Sequence, residues 1–179
     1  MLVLPVASIH IANERQSAVI ESLGPMTFCT KDELSYLFDL VKESVLQQTT
    51  GSYGIKSQLI FFNGEGEQQI FDASGWKTVD DTAAGLIEAK KLSRKMNAIA
   101  VVSVAEGPTL LTLLAHNGVD TKLAAWKPTR IKKGKGKGKI TDLVRAVPDL
   151  WADPKDEMPP PAMLSGLIEP KIETSATVH

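Results

Sequence analysis

A chain of 179 residues has room for one domain with tails, and its 43% hydrophobic and 23% charged residues are typical of an ordinary globular protein. Its 20 Lys and Arg residues are balanced by 21 Asp and Glu residues, so the chain as a whole is not a polycation. The single cysteine, Cys29, excludes an intrachain disulfide and a metal cage built from cysteines.

The first 30 residues are expected to form an extended strand or arm. Residues 1–12 are apolar, but Pro5 and the lack of a basic start make them a poor signal peptide. No run of about 18 or more apolar residues occurs, so no membrane span is expected. These features favour a cytoplasmic protein, a component of a virion or, in a eukaryotic host, a nuclear protein.

A helix followed by a β-hairpin is predicted next. Residues 30–33 have the capping-box pattern, and the apolar residues behind them recur at helical spacing, which predicts a helix over about 31–48. Two strands, at 55–62 and 68–71, flank Asn63 and Gly64, a dipeptide that favours a hairpin turn because both residues tolerate positive φ.

A second helix and three more strands follow. A start signal at residues 78–81 predicts a helix over about 79–96, whose apolar stripe includes Val79 and Ile87. Strands are predicted at 98–104, at 109–115 and, leading into a basic segment, at 122–126.

The element order α-β-β-α-β-β-β over residues 31–126 predicts an α+β core, with two amphipathic helices packed on a single, mainly antiparallel sheet. This order resembles that of the roadblock and profilin-like group of small modules. The resemblance implies a dimerising scaffold or a partner-binding domain. No site residue is carried over from it, because no sequence motif accompanies the element order.

Residues 127–140 are predicted to form a basic loop, in which lysine alternates with glycine from 133 to 139, and seven of the thirteen residues from 127 to 139 are cationic. Such a segment is expected to be a flexible, extended polycation that attracts phosphates, acidic protein surfaces or anionic lipid head groups. Trp126, just before it, either stacks on a base or ends a strand in the core. The candidate nucleic-acid-binding cations are Lys127, Arg130, Lys132, Lys133, Lys135, Lys137 and Lys139.

The last segment, residues 141–179, is predicted to begin with a short helix at 142–147 and to continue as a Pro-rich acidic tail. Within this tail is a short apolar cluster, which either docks on a partner or packs back on the domain. Its members are Met163, Leu164, Leu167 and Ile168.

No catalytic, cofactor or metal signature accompanies these features. His116 has no second histidine at ligand spacing, and Cys29 has no local signature of a positioned base. We therefore expect a non-enzymatic protein without a cofactor, which binds DNA or RNA through the basic loop with low sequence specificity. The alternative is a structural or adaptor protein that docks on acidic protein surfaces, as a homo-oligomer or in a larger assembly, through its arm, loop and tail.

Overall fold

The computed structural model describes residues 27–152 and 166–169. These residues contain, in chain order, helix α1 (Lys31–Thr49), strands β1 (Gln58–Asn63) and β2 (Gln68–Asp72), helix α2 (Val79–Met96), and strands β3 (Ala98–Glu106), β4 (Leu111–His116), β5 (Thr121–Arg130) and β6 (Ile140–Trp151). The six strands form one antiparallel sheet in the order β2-β1-β3-β4-β5-β6. This architecture confirms the α+β class predicted from the sequence.

Helix α1 covers one face of the sheet, across β3, β4 and β5. It begins where the Thr30 side chain accepts a hydrogen bond from the Glu33 amide at 3.2 Å, which satisfies one of the free donors of the first turn. Residues three and four apart then place one apolar stripe against the sheet. The buried apolar residues of this stripe are Leu34, Leu37, Phe38, Val41 and Val45.

Helix α2 lies on the opposite face, against a cluster that contains Leu59, Phe61 and Val101. It starts with a reciprocal capping box between Thr78 and Asp81. The side of α2 that packs differs in part from the apolar stripe predicted from the sequence, of which Leu86 does pack against this cluster. Val79 and Ile87 are 86% and 58% exposed, and the buried residues of the helix are Ala89, Ser93 and Met96.

The sheet extends beyond the predicted core, because β5 continues to Arg130 and pairs with a sixth strand. The prediction of a short helix at 142–147 is wrong, since these residues lie within β6. Pairing with β5 outweighs local helix propensity here. Pro148 is tolerated because β6 is an edge strand, where a missing backbone donor can face away from the ladder.

Residues 1–26 of the predicted N-terminal arm lie outside the described residues. The predicted tail beyond residue 152 also lies outside them, apart from residues 166–169. In the described part of the chain, neither α1 nor α2 combines the length and the apolar character that a membrane crossing requires.

Candidate functional site

The Lys/Gly segment forms the tip of the β5–β6 hairpin, and residues 131–139 are called the cationic tip below. Two backbone hydrogen bonds close its base. The Ile131 amide donates to the Lys139 carbonyl at 3.0 Å, and the Gly138 amide donates to the Ile131 carbonyl at 2.8 Å. The tip is therefore a closed, hydrogen-bonded continuation of two paired strands.

Two overlapping β-turns shape the tip. The Lys137 amide donates to the Gly134 carbonyl at 3.2 Å, and the Lys139 amide donates to the Gly136 carbonyl at 2.9 Å. The third residue of each turn is a glycine, Gly136 at φ 83° or Gly138 at φ 91°, and the lysine before it has negative φ. These signs define a type II turn, which needs glycine at that position. The expectation of an extended segment is therefore wrong, because the alternating glycines build a compact structure.

The side chains on this compact tip are positively charged and face the solvent. All five of its lysines are exposed, and none forms an ion pair with another described residue. These ammonium groups lie within eight consecutive residues and are open to the solvent, from which an anion can approach them. The five lysines are Lys132, Lys133, Lys135, Lys137 and Lys139.

Lys127 lies further back on β5, where it is exposed and pairs in register with Val144 of β6. At about 3.3 Å per strand residue, it is roughly 13 Å along the strand from the first residue of the cationic tip. Lys127 therefore extends the positive surface along the hairpin and is not part of the tip itself.

Arg130 has a different environment from the lysines. Its guanidinium donates to the carbonyl oxygens of Tyr53 at 2.7 Å and Gly138 at 2.8 Å, and it forms an ion pair with the Glu106 carboxylate. The other oxygen of Glu106 accepts a hydrogen bond from the Ile55 amide at 2.8 Å. Because both terminal nitrogens of Arg130 are engaged within the chain, we assign it to positioning the tip and not to contacting a ligand.

A second anchor lies one residue after the tip. The Ile140 amide donates to the Ser52 carbonyl at 2.7 Å, and the Ile140 carbonyl accepts from the Gly51 amide at 2.8 Å. The Ile140 side chain is 1% exposed, so it is also held by packing. The segment after α1 thus fixes the cationic tip against the domain.

Trp126, which precedes the basic segment in sequence, and Tyr53, which lies next to the tip, differ in exposure. Trp126 is 2% exposed and belongs to the core under α1, with the Arg145 guanidinium 4.7 Å from the centre of its ring. This burial supports the interpretation of Trp126 as a core residue. Tyr53, which the sequence analysis did not single out, is 64% exposed, and a Cβ atom built on Gly138 would lie 3.8 Å from its Cδ1 atom.

Two of the four residues of the predicted docking cluster pack on the domain. Leu167 and Ile168 are 3% and 2% exposed and belong to the cluster beneath α2. The Ser93 hydroxyl donates to the Leu167 carbonyl at 2.5 Å and fixes this segment to the helix. Packing back is thus the interpretation that the structure supports for these two residues, whereas Met163 and Leu164 lie outside the described residues.

The remaining candidate residues for chemistry are buried away from the tip. His116 is 5% exposed, and its Nδ1 atom lies 2.9 Å from the Thr121 hydroxyl. Burial lowers the pKa of His116, and Asp120 opposes this shift only in part. Cys29 is 3% exposed. Among residues 27–152 and 166–169, no group of three or more His, Cys, Asp or Glu side chains is arranged to hold a metal ion.

Comparison of the chain with protein-family models, with curated proteins and with solved structures finds no match. The resemblance to the roadblock and profilin-like group therefore remains one of element order. What the site can do chemically follows from its own geometry: it is a cluster of exposed ammonium groups that form no ion pair with residues 27–152 or 166–169, and such a cluster attracts anions.

Proposed function

We propose that this chain binds nucleic acid through its phosphate groups, at the cationic tip and with low sequence specificity. The observation that carries the proposal is the set of five exposed lysines that have no ion pair with any described residue. Lysine contacts with phosphate oxygens position a protein on a strand but do not read the bases, so little sequence discrimination is expected.

The fixed shape of the tip also favours binding. A disordered lysine loop loses conformational freedom when it is captured by a ligand, and this loss reduces the affinity. Here the two β-turns and the Arg130 contacts already restrict the backbone. Less conformational entropy is therefore lost on binding than in an unstructured polycation of the same charge.

The charge count gives an expected dependence on salt. If each of the five lysines neutralises one phosphate, the logarithm of the affinity should fall with the logarithm of salt concentration at a slope of roughly −3.5 for a single strand and −4.5 for a duplex. From about 50 mM to about 200 mM salt, the affinity should then fall by roughly 130- to 500-fold.

Fluorescence anisotropy with labelled DNA and RNA across a salt series tests the proposal. A tip variant carries Gln at the five tip lysines, and a control variant carries Gln at five exposed lysines elsewhere, so both lose the same charge. We expect weak binding with a nearly flat salt slope for the tip variant, and near-native binding for the control. The control positions are Lys56, Lys77, Lys90, Lys91 and Lys95.

Two outcomes would overturn the proposal. If the native chain binds neither DNA nor RNA at low salt, the tip is not a nucleic-acid site, and an acidic protein surface becomes its preferred partner. If the two variants lose equal affinity, binding follows net charge and is not localised at the tip.

A further inference from the structure

The exposed aromatic residue beside the cationic tip indicates which form of nucleic acid fits there. We propose that the tip and Tyr53 together bind single-stranded nucleic acid, with a base stacked on the Tyr53 ring; this inference rests on the proposed function. Tyr53 thereby takes the stacking role that the sequence suggested for Trp126, which is buried. Unlike the candidate lysines, Tyr53 lies outside the basic segment.

Tyr53 has the exposure that stacking needs. Its exposed fraction is 64%, and the next most exposed aromatic side chain in the described part of the chain is Phe28, at 41%. A solvent-exposed aromatic ring loses its contact with water when a base stacks on it, and this loss of apolar exposure is favourable.

Tyr53 is also held in place next to the lysines. The Arg130 guanidinium donates to the Tyr53 carbonyl at 2.7 Å and to the Gly138 carbonyl at 2.8 Å, so one side chain ties both residues together. The position of a Cβ atom on Gly138 would be 3.8 Å from Tyr53 Cδ1. Because Lys137 and Lys139 are the chain neighbours of Gly138, the ring lies beside the stretch of backbone that carries two of the exposed lysines.

This arrangement distinguishes a single strand from a duplex. A duplex keeps its base faces stacked inside and presents phosphates to the lysines, so Tyr53 adds little to its binding. A single strand has free base faces, and proteins that bind it combine a positive surface for the backbone with aromatic rings for the bases. The tip with Tyr53 provides both elements on one surface.

The test compares Tyr53→Ala with Tyr53→Phe, using a labelled single strand of about 16 nucleotides and a duplex. Tyr53→Ala should weaken binding of the single strand by roughly 5- to 150-fold, as expected for the loss of one stacked base. Tyr53→Phe keeps the ring and should bind nearly as the native chain. Neither change alters charge, so the salt slope should stay the same.

Folding should be preserved in both variants, because Arg130 bonds to the backbone carbonyl of residue 53 and not to its side chain. A strand of the same length without bases provides a further control. We expect it to bind the native chain and the Tyr53→Ala variant equally, because only the phosphate contacts remain.

The outcomes separate this inference from the proposed function. If the native chain binds no nucleic acid, the proposed function fails. If it binds with a steep salt slope and Tyr53→Ala binds the single strand as tightly as the native chain does, the proposed function stands and the stacking role is overturned. Equal losses on single strand and duplex would also overturn it, because the ring would then act through the shape of the tip.

Discussion

Arg130 offers a test of how the cationic tip is held, because it makes three contacts that can be removed by one substitution. Arg130→Met keeps most of the aliphatic stem and removes the guanidinium, which donates to the carbonyls of Tyr53 and Gly138 and pairs with Glu106. The substitution leaves these acceptors without their cationic partner. If the assignment of Arg130 to positioning is right, the domain should become less stable.

The expected loss follows from these contacts. Hydrogen bonds that involve a charged group contribute about 1.5 to 3 kcal/mol each when they are buried. The side chains of Arg130 and Glu106 are 36% and 20% exposed, so water screens the interaction and can replace part of it. We therefore expect the free energy of unfolding to fall by about 2 to 3 kcal/mol, a drop in Tm of roughly 4 to 12 °C for a chain of this size.

Urea unfolding followed by circular dichroism measures this loss, and Arg94→Met is the matched control. Arg94 also pairs with one carboxylate, that of Glu169, but the two side chains are 66% and 70% exposed. An exposed pair of this kind contributes about 0 to 1 kcal/mol. If Arg130→Met costs no more than Arg94→Met, the contacts of Arg130 do not anchor the tip and the reasoning is refuted.

Three further substitutions, one of them with a matched control, test the packing, the turns and the buried histidine by urea unfolding. Gly85→Ala should destabilise the domain, because a Cβ atom at this position would lie 1.9 Å from Trp76 Nε1. The resulting strain of about 1 to 3 kcal/mol outweighs the gain in helix propensity. A variant more stable than the native chain would contradict this packing. Gly138→Ala should lower the free energy of unfolding by about 1 to 2 kcal/mol, because φ is 91° at this residue. The control Gly75→Ala should have almost no effect, because a Cβ atom there meets open space and φ is not left-handed. Equal effects of the two substitutions would argue against the type II turn. The pKa of His116 is lowered by burial in the folded state, so the unfolded chain binds its proton more readily and stability should fall as the pH drops below about 6.5. The contribution of His116 to the change in unfolding free energy with pH cannot exceed about 1.4 kcal/mol per pH unit, and it should disappear in His116→Gln. If the pH dependence is unchanged in that variant, it arises from other groups.

Much of the fold could be predicted because its signals are local. The capping threonines Thr30 and Thr78 mark the first turns of both helices, and the structure places the helices within a residue of the predicted bounds. The turn signal at Asn63 also holds, since this residue ends β1, is followed by the antiparallel strand β2, and accepts amide hydrogen bonds from Glu65 and Glu67 with its side-chain oxygen. Helix capping and hairpin turns depend on neighbours in sequence, which the sequence displays directly.

The sixth strand and the form of the tip could not be predicted in the same way. Leu143, Val144 and Val147 have a spacing that suits one side of a short helix, yet register with β5 makes this segment a strand. The alternating glycines of the tip suggested flexibility, because composition does not reveal which glycine occupies the third position of a turn. Only the hydrogen bonds to Gly134 and Gly136 define that position.

The candidate site was predicted in part. The lysines of the tip are exposed, as an unpaired charge run must be. Arg130 and Tyr53 are 77 residues apart, so no local pattern could show that one positions the other. Trp126 lies next to the basic segment in sequence, but the alternation of β5 directs its side chain into the core.

The most direct test of the central claim is lysine acetylation footprinting of the full chain, with and without a single-stranded oligonucleotide. Mass spectrometry then reports the acetylation rate of each lysine. We predict that the oligonucleotide protects the lysines of the cationic tip, such as Lys135 and Lys137, and leaves Lys77 and Lys95, which are also exposed, unchanged. Uniform protection, protection only outside the tip, or no protection at low salt would contradict the proposal that this surface binds nucleic acid.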